Sequence, residues 1–240
     1  MEECISVFDM LKIGVGPSSS HTLGPWRAAE RFLSELRNEN KLSVTLSIRV
    51  DLYGSLSLTG KGHATDLAVM LGLSNQNPET IPVENIKGIT DQIIKDKTIN
   101  LGGENTIEFD PQAAIVFNKN FLPFHSNGIK FTAFFNENDH YEATYYSIGG
   151  GFVVVEERVN AKKKQAIKCA FPYIINNAAD LLEFARLEEK SISEIVYENE
   201  KSMRSENEIH EELLRIWNTM LECMYLGCHS EGILPGGLNV

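Results

Sequence analysis

Gly14-Val15-Gly16-Pro17-Ser18-Ser19-Ser20-His21-Thr22 brings a glycine-bounded turn, three consecutive hydroxyls and an imidazole to the mouth of a helical pattern. Hydroxyls at Ser18, Ser19 and Ser20 can donate to a carboxylate or phosphate, and free amides at a helix start add partial positive charge. The glycines and Pro17 fix a loop compact enough for successive amides to converge. No Lys or Arg lies inside the motif, which favours a carboxylate over a multiply charged phosphate. The bland alternative is that Ser20 or Thr22 caps the helix while His21 bonds nearby backbone.

Gly60-Lys61-Gly62-His63-Ala64-Thr65-Asp66 repeats the design, with glycines, a histidine and a hydroxyl before a second helix. His63 suits acid/base work or donation to a substrate oxygen, Thr65 or Asp66 could cap, and Asp66 could orient an imidazole. A lone histidine between glycines is also a common structural feature, and both readings stay open. Ser147-Ile148-Gly149-Gly150-Gly151 separates two strand patterns and reads first as a tight bend, second as backbone near a ligand. His125 sits among turn residues, and His140 and His229 carry less signal.

The elements around these motifs follow from periodicity. Trp26, Ala29, Leu33 and Leu36 predict a helix over 23–37, and Pro25 confines its start to Thr22–Gly24. Alternation of Leu42, Val44, Leu46, Ile48 and Val50 predicts a half-buried strand over 42–50. A helix follows over 65–71, ended by Gly72, and then a polar loop over 74–82. Short strands are expected over 113–117, 129–135, 141–146 and 152–156, the middle two forming a hairpin. Beyond Pro172 the pattern turns helical, with capping boxes at Ser191/Glu194 and Ser205/Glu208. The last helix carries an apolar stripe of Ile209, Leu213, Ile216, Met220 and Met224, read as a core face.

These elements give an α+β class: a mixed-sheet domain over 1–171, then the first helices of a second domain over 172–240. At 240 residues and 42% apolar, the chain can bury a core. Its net charge of -11, with thirteen acidic against five basic side chains after residue 170, argues against nucleic acid as a partner. No apolar run reaches bilayer length and no signal-peptide pattern opens the sequence, so a cytoplasmic protein without a membrane partner is expected. Cys4, Cys169, Cys223 and Cys228 are too few and scattered for a disulfide scaffold, and none is read as a metal ligand.

Together these blocks resemble the iron–sulfur-dependent L-serine dehydratases (L-serine ammonia-lyases) of bacteria, of the single-chain type. The resemblance rests on Ser6-Val-Phe-Asp9, Gly14 to Thr22, Gly60 to Asp66, Leu122 to Gly128, Ser147 to Gly151 and Glu231 to Gly236. It covers essentially the whole chain but only the first half of the family's complete protein. It implies a β domain similar to the serine-binding regulatory domain of phosphoglycerate dehydrogenases, followed by the opening helices of a catalytic α domain. The remainder of that domain, with its [4Fe–4S]-binding cysteines, would lie beyond these residues, and no cofactor is expected in this chain.

By this resemblance Ser18, Ser19 and Ser20 would hold the carboxylate of L-serine, with Thr22 supporting the loop. His21 and His63 would be the catalytic candidates, unranked; Gly149 and Gly150 would shape the pocket, and Asp66 would support it. The implied reaction is dehydration of L-serine to pyruvate and ammonia, with this chain inactive alone and a homodimer expected. A non-catalytic serine-binding or dimerisation domain is the competing reading.

Overall fold

The computed structural model describes residues 5–16, 18–156 and 171–232. Pro17, Cys4, Cys169 and the tail over 233–240 lie outside these residues. The described chain divides into two compact units, one of residues 14–156 and one that joins residues 5–13 to 171–232. Ser6-Val7-Phe8-Asp9 therefore belongs with the later helices, a discontinuity that the expected linear division did not contain.

In the larger unit a π-helical turn, Ser19–Leu23, leads into α2 (Gly24–Asn38); α1 (Val7–Met10) precedes it in the other unit. β1 (Ser47–Gly54) runs into the short α3 (Ser55–Leu58), and α4 (Thr65–Leu73) and α5 (Val83–Asp96) follow. A two-stranded hairpin, β2 (Thr98–Leu101) and β3 (Asn105–Glu108), precedes α6 (Pro111–Ala114) and β4 (Ile115–Phe117). β5 (Asn127–Phe134), β6 (His140–Gly149) and β7 (Phe152–Val155) complete the main sheet. Among the described residues its order is β4-β1-β5-β6-β7, with β4 parallel to β1 and every other pair antiparallel. The mixed sheet and its helices are the α+β class expected, and β5 and β6 form the expected hairpin.

The core lies between one face of this sheet and α2 with α4. Ile48, Val50 and Leu52 of β1 and Phe131 of β5 meet Phe32, Leu33 and Leu36 of α2. Phe32 stacks on Phe131 at 5.0 Å. Glu35, also on α2, takes hydroxyl hydrogen bonds from Tyr145 (2.5 Å) and Tyr141 (3.2 Å) of β6, a polar clasp between helix and sheet. Burial and that carboxylate push the Tyr145 hydroxyl far above its ordinary range, so it remains a donor.

Two local expectations are corrected. The strand begins at Ser47 rather than Leu42, because Leu42–Val44 form a 3-10 turn. Asn105 Nδ2 donates to the carbonyls of both Leu42 (3.0 Å) and Thr45 (2.8 Å), which a ladder would otherwise need. Gly72 lies inside α4 rather than ending it. A Cβ there would stand 2.6 Å from the Trp26 carbonyl and 2.7 Å from Ala29 Cβ, so this glycine permits close approach of α2 and α4.

The second unit contains α7 (Ala178–Leu187), α8 (Ile192–Lys201) and α9 (Glu206–His229). Both capping boxes form as their sequences require. Glu200, 2% exposed, accepts from Ser6 Oγ (2.8 Å), Val7 N–H (2.7 Å) and Arg204 Nη1 (2.8 Å), which fixes the N-terminal segment to α8. The apolar stripe of α9 departs from its expected core role: Ile209 is buried, but Leu213, Met220 and Met224 are exposed.

Candidate active site

The serine–histidine motif folds as a widened turn. Ser18 lies in extended backbone and its Oγ accepts from His21 N–H, while Ser18 O accepts from both Thr22 and Leu23 N–H. Leu23 and Gly24 reach back five residues, to Ser18 and Ser19 carbonyls, which is the π-helical spacing. Such turns are rare and concentrate at functional sites. They leave carbonyls that need other partners, and here buried hydroxyls provide them. Ser147 Oγ donates to Ser20 O at 2.7 Å, and Thr65 Oγ1 donates to His21 O at 2.6 Å. Thr22 Oγ1 in turn donates to His63 O at 2.9 Å, which ties the two motifs together.

The structure thus brings His21 and His63 to a ring separation of 5.0 Å. His21 Nδ1 is 2.9 Å from Ser20 Oγ and its Nε2 is 2.9 Å from Ser55 Oγ. Burial, followed by the neighbouring His63, lowers the pKa of His21, against an opposing contribution from hydrogen bonding at Ser55. His63 differs. Its Nδ1 lies 2.9 Å from the Thr59 carbonyl, which can only accept, so the proton of the neutral ring sits on Nδ1. Its lone pair is then on Nε2, which contacts no described hydrogen-bond partner.

Among the serines, Ser20 bonds His21, Ser18 caps, and Ser19 is exposed with its hydroxyl engaged by no described residue. Gly149, Gly150 and Gly151 all have left-handed backbone, which explains three glycines at the β6–β7 turn. A Cβ on Gly149 would meet nothing, whereas one on Gly151 would strike Leu23 at 2.8 Å. The turn therefore packs beside the serine loop and leaves Gly149 open. Asp66 Oδ1 accepts Leu67 N–H in the first turn of α4, and the Thr59 carbonyl, not this carboxylate, holds His63. His125 Nδ1 accepts Asn127 N–H, and Asn127 Nδ2 donates to Ser147 O, so that turn supports the site from β5. His140 at the start of β6 makes a tilted ring contact with Phe134 at 6.0 Å, and His229 stacks on Tyr225 in the other unit.

Neither Ser55 nor Ser147 is singled out individually by the sequence, which offers Thr65 only as a helix cap. Ser55 follows Gly54 at the end of β1, and a glycine-serine pair closing a strand is the available signal. Thr65 and Ser147 lay within motifs, but their partners are 44 and 127 residues away in sequence.

Residues 6–158 match the family model described as serine dehydratase beta chain. The chain belongs to that serine dehydratase family. The chain is 44% identical to the L-serine dehydratase of Streptomyces coelicolor over 238 residues, covering 98% of this chain and 52% of that protein. It is 39% identical over 238 residues to the L-serine dehydratase of Haemophilus influenzae, again 98% of this chain and 52% of the relative. L-serine dehydratase 1 of Escherichia coli is 39% identical over 237 residues, with the same coverage. This serine dehydratase chain thus spans about half the length of the relatives it matches. No helix among its described residues is long and apolar enough to cross a membrane.

Proposed function

We propose that this chain forms the substrate-anchoring half of a cytoplasmic L-serine ammonia-lyase, which converts L-serine to pyruvate and ammonia. Residues 14–156 form the anchoring domain, and the helices over 171–232 open the catalytic domain that longer relatives complete. The hydroxyls of Ser18, Ser19 and Ser20, with the amides of Ser19 and Ser20 at the start of the π-turn, receive the substrate carboxylate. Thr22 holds the loop to the second motif, and Gly149 and Gly150 bound the pocket. His63 removes the α proton through Nε2. The observation that carries this ranking is the hydrogen bond from His63 Nδ1 to Thr59 O, which leaves the basic nitrogen directed away from its own backbone partner. His21, held by hydroxyls at both ring nitrogens, orients the serine loop around the bound ligand.

A [4Fe–4S] cluster in the complete enzyme would supply Lewis acidity at the substrate hydroxyl. The donor set present here does not fit one. Among the described residues there is no group of three or more His, Cys, Asp or Glu placed to hold a metal. Cys223 and Cys228 are exposed on α9, five positions and therefore about 140° apart around the helix. No step is assigned to a cluster on this chain, and departure of the hydroxyl belongs to groups outside it.

Two assays test the reading. The isolated chain, incubated anaerobically with iron, sulfide and L-serine, should yield no pyruvate above background. Joined to the C-terminal half of a full-length relative it should gain activity, and His63→Gln in that enzyme should lower kcat by about 10²–10⁴ with little change in KM. Robust turnover by the isolated chain, or an undiminished kcat in His63→Gln, contradicts it. A homodimer is the second part of the proposal, favoured by the exposed apolar face of α9, where Trp217 is 50% and Met224 51% exposed.

A further inference from the structure

Ser55 lies outside both histidine motifs, yet it is bonded toward both imidazoles. Its side chain reaches one ring: Ser55 Oγ is 2.9 Å from His21 Nε2. Its main chain reaches the other through one residue. Ser55 O accepts Thr59 N–H (3.1 Å) and Thr59 Oγ1–H (3.0 Å), and Thr59 O accepts from His63 Nδ1 (2.9 Å).

The backbone of Ser55 is itself fixed by the end of the sheet. Ser55 N–H donates to Ser126 O at 2.8 Å, and Gly54 N–H donates to Asn120 O at 2.9 Å. Gly54 has φ +55°, and a Cβ there would stand 2.2 Å from Ser126 O and 2.8 Å from the Phe121 ring. The strand must therefore turn at a glycine for the next hydroxyl to arrive at His21. A sheet end, a strained turn and a four-residue helix converge on one serine.

We propose that Ser55 is a positioning residue of the site: its hydroxyl fixes the His21 ring from the Nε2 side, while its carbonyl sets the Thr59 turn that holds His63. The consequence is a held ring orientation for His21 and a defined tautomer for His63. Ser20 and Ser55 hydroxyls can each rotate to donate or accept, so they hold His21 whether it is neutral or charged. The backbone carbonyl beside His63 accepts only, so that ring keeps its lone pair on Nε2. The effect on ligand binding rests on the anchoring role proposed above; the effect on the His21 ring does not.

The test is Ser55→Ala, with Ser55→Thr as the variant that keeps a hydroxyl, each checked for an intact fold by its backbone amide spectrum. Long-range ¹H–¹⁵N correlation of the imidazoles reads the tautomers directly. In Ser55→Ala the His21 ring nitrogens should shift while those of His63 stay, because the Ser55 carbonyl remains. Ser55→Thr should restore the wild-type His21 pattern. L-serine affinity, followed by amide shifts at the loop, should fall about five- to twentyfold in Ser55→Ala, the loss of one hydrogen bond's worth of ordering. Unchanged His21 nitrogens in Ser55→Ala overturn the proposal, as does a shifted ring with full L-serine affinity. If the wild-type chain binds no L-serine at all, the anchoring role fails, and the ring spectra still decide the Ser55–His21 bond.

Discussion

Gly24 N–H is taken by Ser19 O and Pro25 has no N–H, so the main-chain carbonyls of Ser20 and His21 lack those helical donors, and Ser147 and Thr65 take them. These two hydroxyls are almost wholly buried, so each bond is made out of reach of water and its loss would leave an acceptor unpaired. The chemistry of this motif was legible because its residue types are local: hydroxyls, glycines and an imidazole in one run. The partners were not legible, because adjacency between residues 20 and 147 exists only after the sheet closes. His21 also carries the pH dependence. Its native pKa is lowered from about 6.5, so the folded state binds its proton less readily than the unfolded chain. Its contribution to stability is therefore present above about pH 6.5 and is lost as pH falls through the lowered native value. The urea midpoint should drop between pH 7.5 and pH 5, and part of that drop should vanish in His21→Asn. Identical pH profiles for the two proteins would show that the His21 imidazole is not held toward neutrality.

At the scale of elements, α2 and α4 carry the two histidine motifs at their N-terminal ends, so their mutual packing sets the distance between the rings. Gly72 governs that packing, since both nearest neighbours of an added Cβ belong to α2: the Trp26 carbonyl and Ala29 Cβ. Gly72→Ala should cost about 1–3 kcal/mol by overpacking and should move the helices apart. Thermal unfolding would register the cost, and a loss of ring-current shifts between His21 and His63 would register the displacement. An unchanged Tm would place the helix contact elsewhere. Helical periodicity, the capping boxes and the β5–β6 hairpin were readable because each is written within a few residues. Leu42 to Leu46 misled for the same reason: its alternation is that of a strand, but Asn105 claims its carbonyls from another element.

The whole molecule divides its work unevenly. The larger unit contains both histidine motifs, the glycine turn and the sheet end that holds Ser55. In the other unit the buried Glu200 clamps the N-terminal segment, while α9 presents Trp217, Met220 and Met224 to solvent. The sequence showed that stripe clearly but could not show whether anything covers it. The same holds for chemistry: the roles proposed for this chain are anchoring and deprotonation, and its relatives continue for about as many residues again. The central claim is that the Ser18–Thr22 turn receives a carboxylate. Amide spectra of the ¹⁵N-labelled chain, titrated with L-serine and in parallel with L-serinamide, test it most directly. The account predicts saturable shifts at Ser18 to Thr22 and at Gly149 with L-serine, largely absent with the amide. Equal responses to both compounds, or none at the turn, would contradict it.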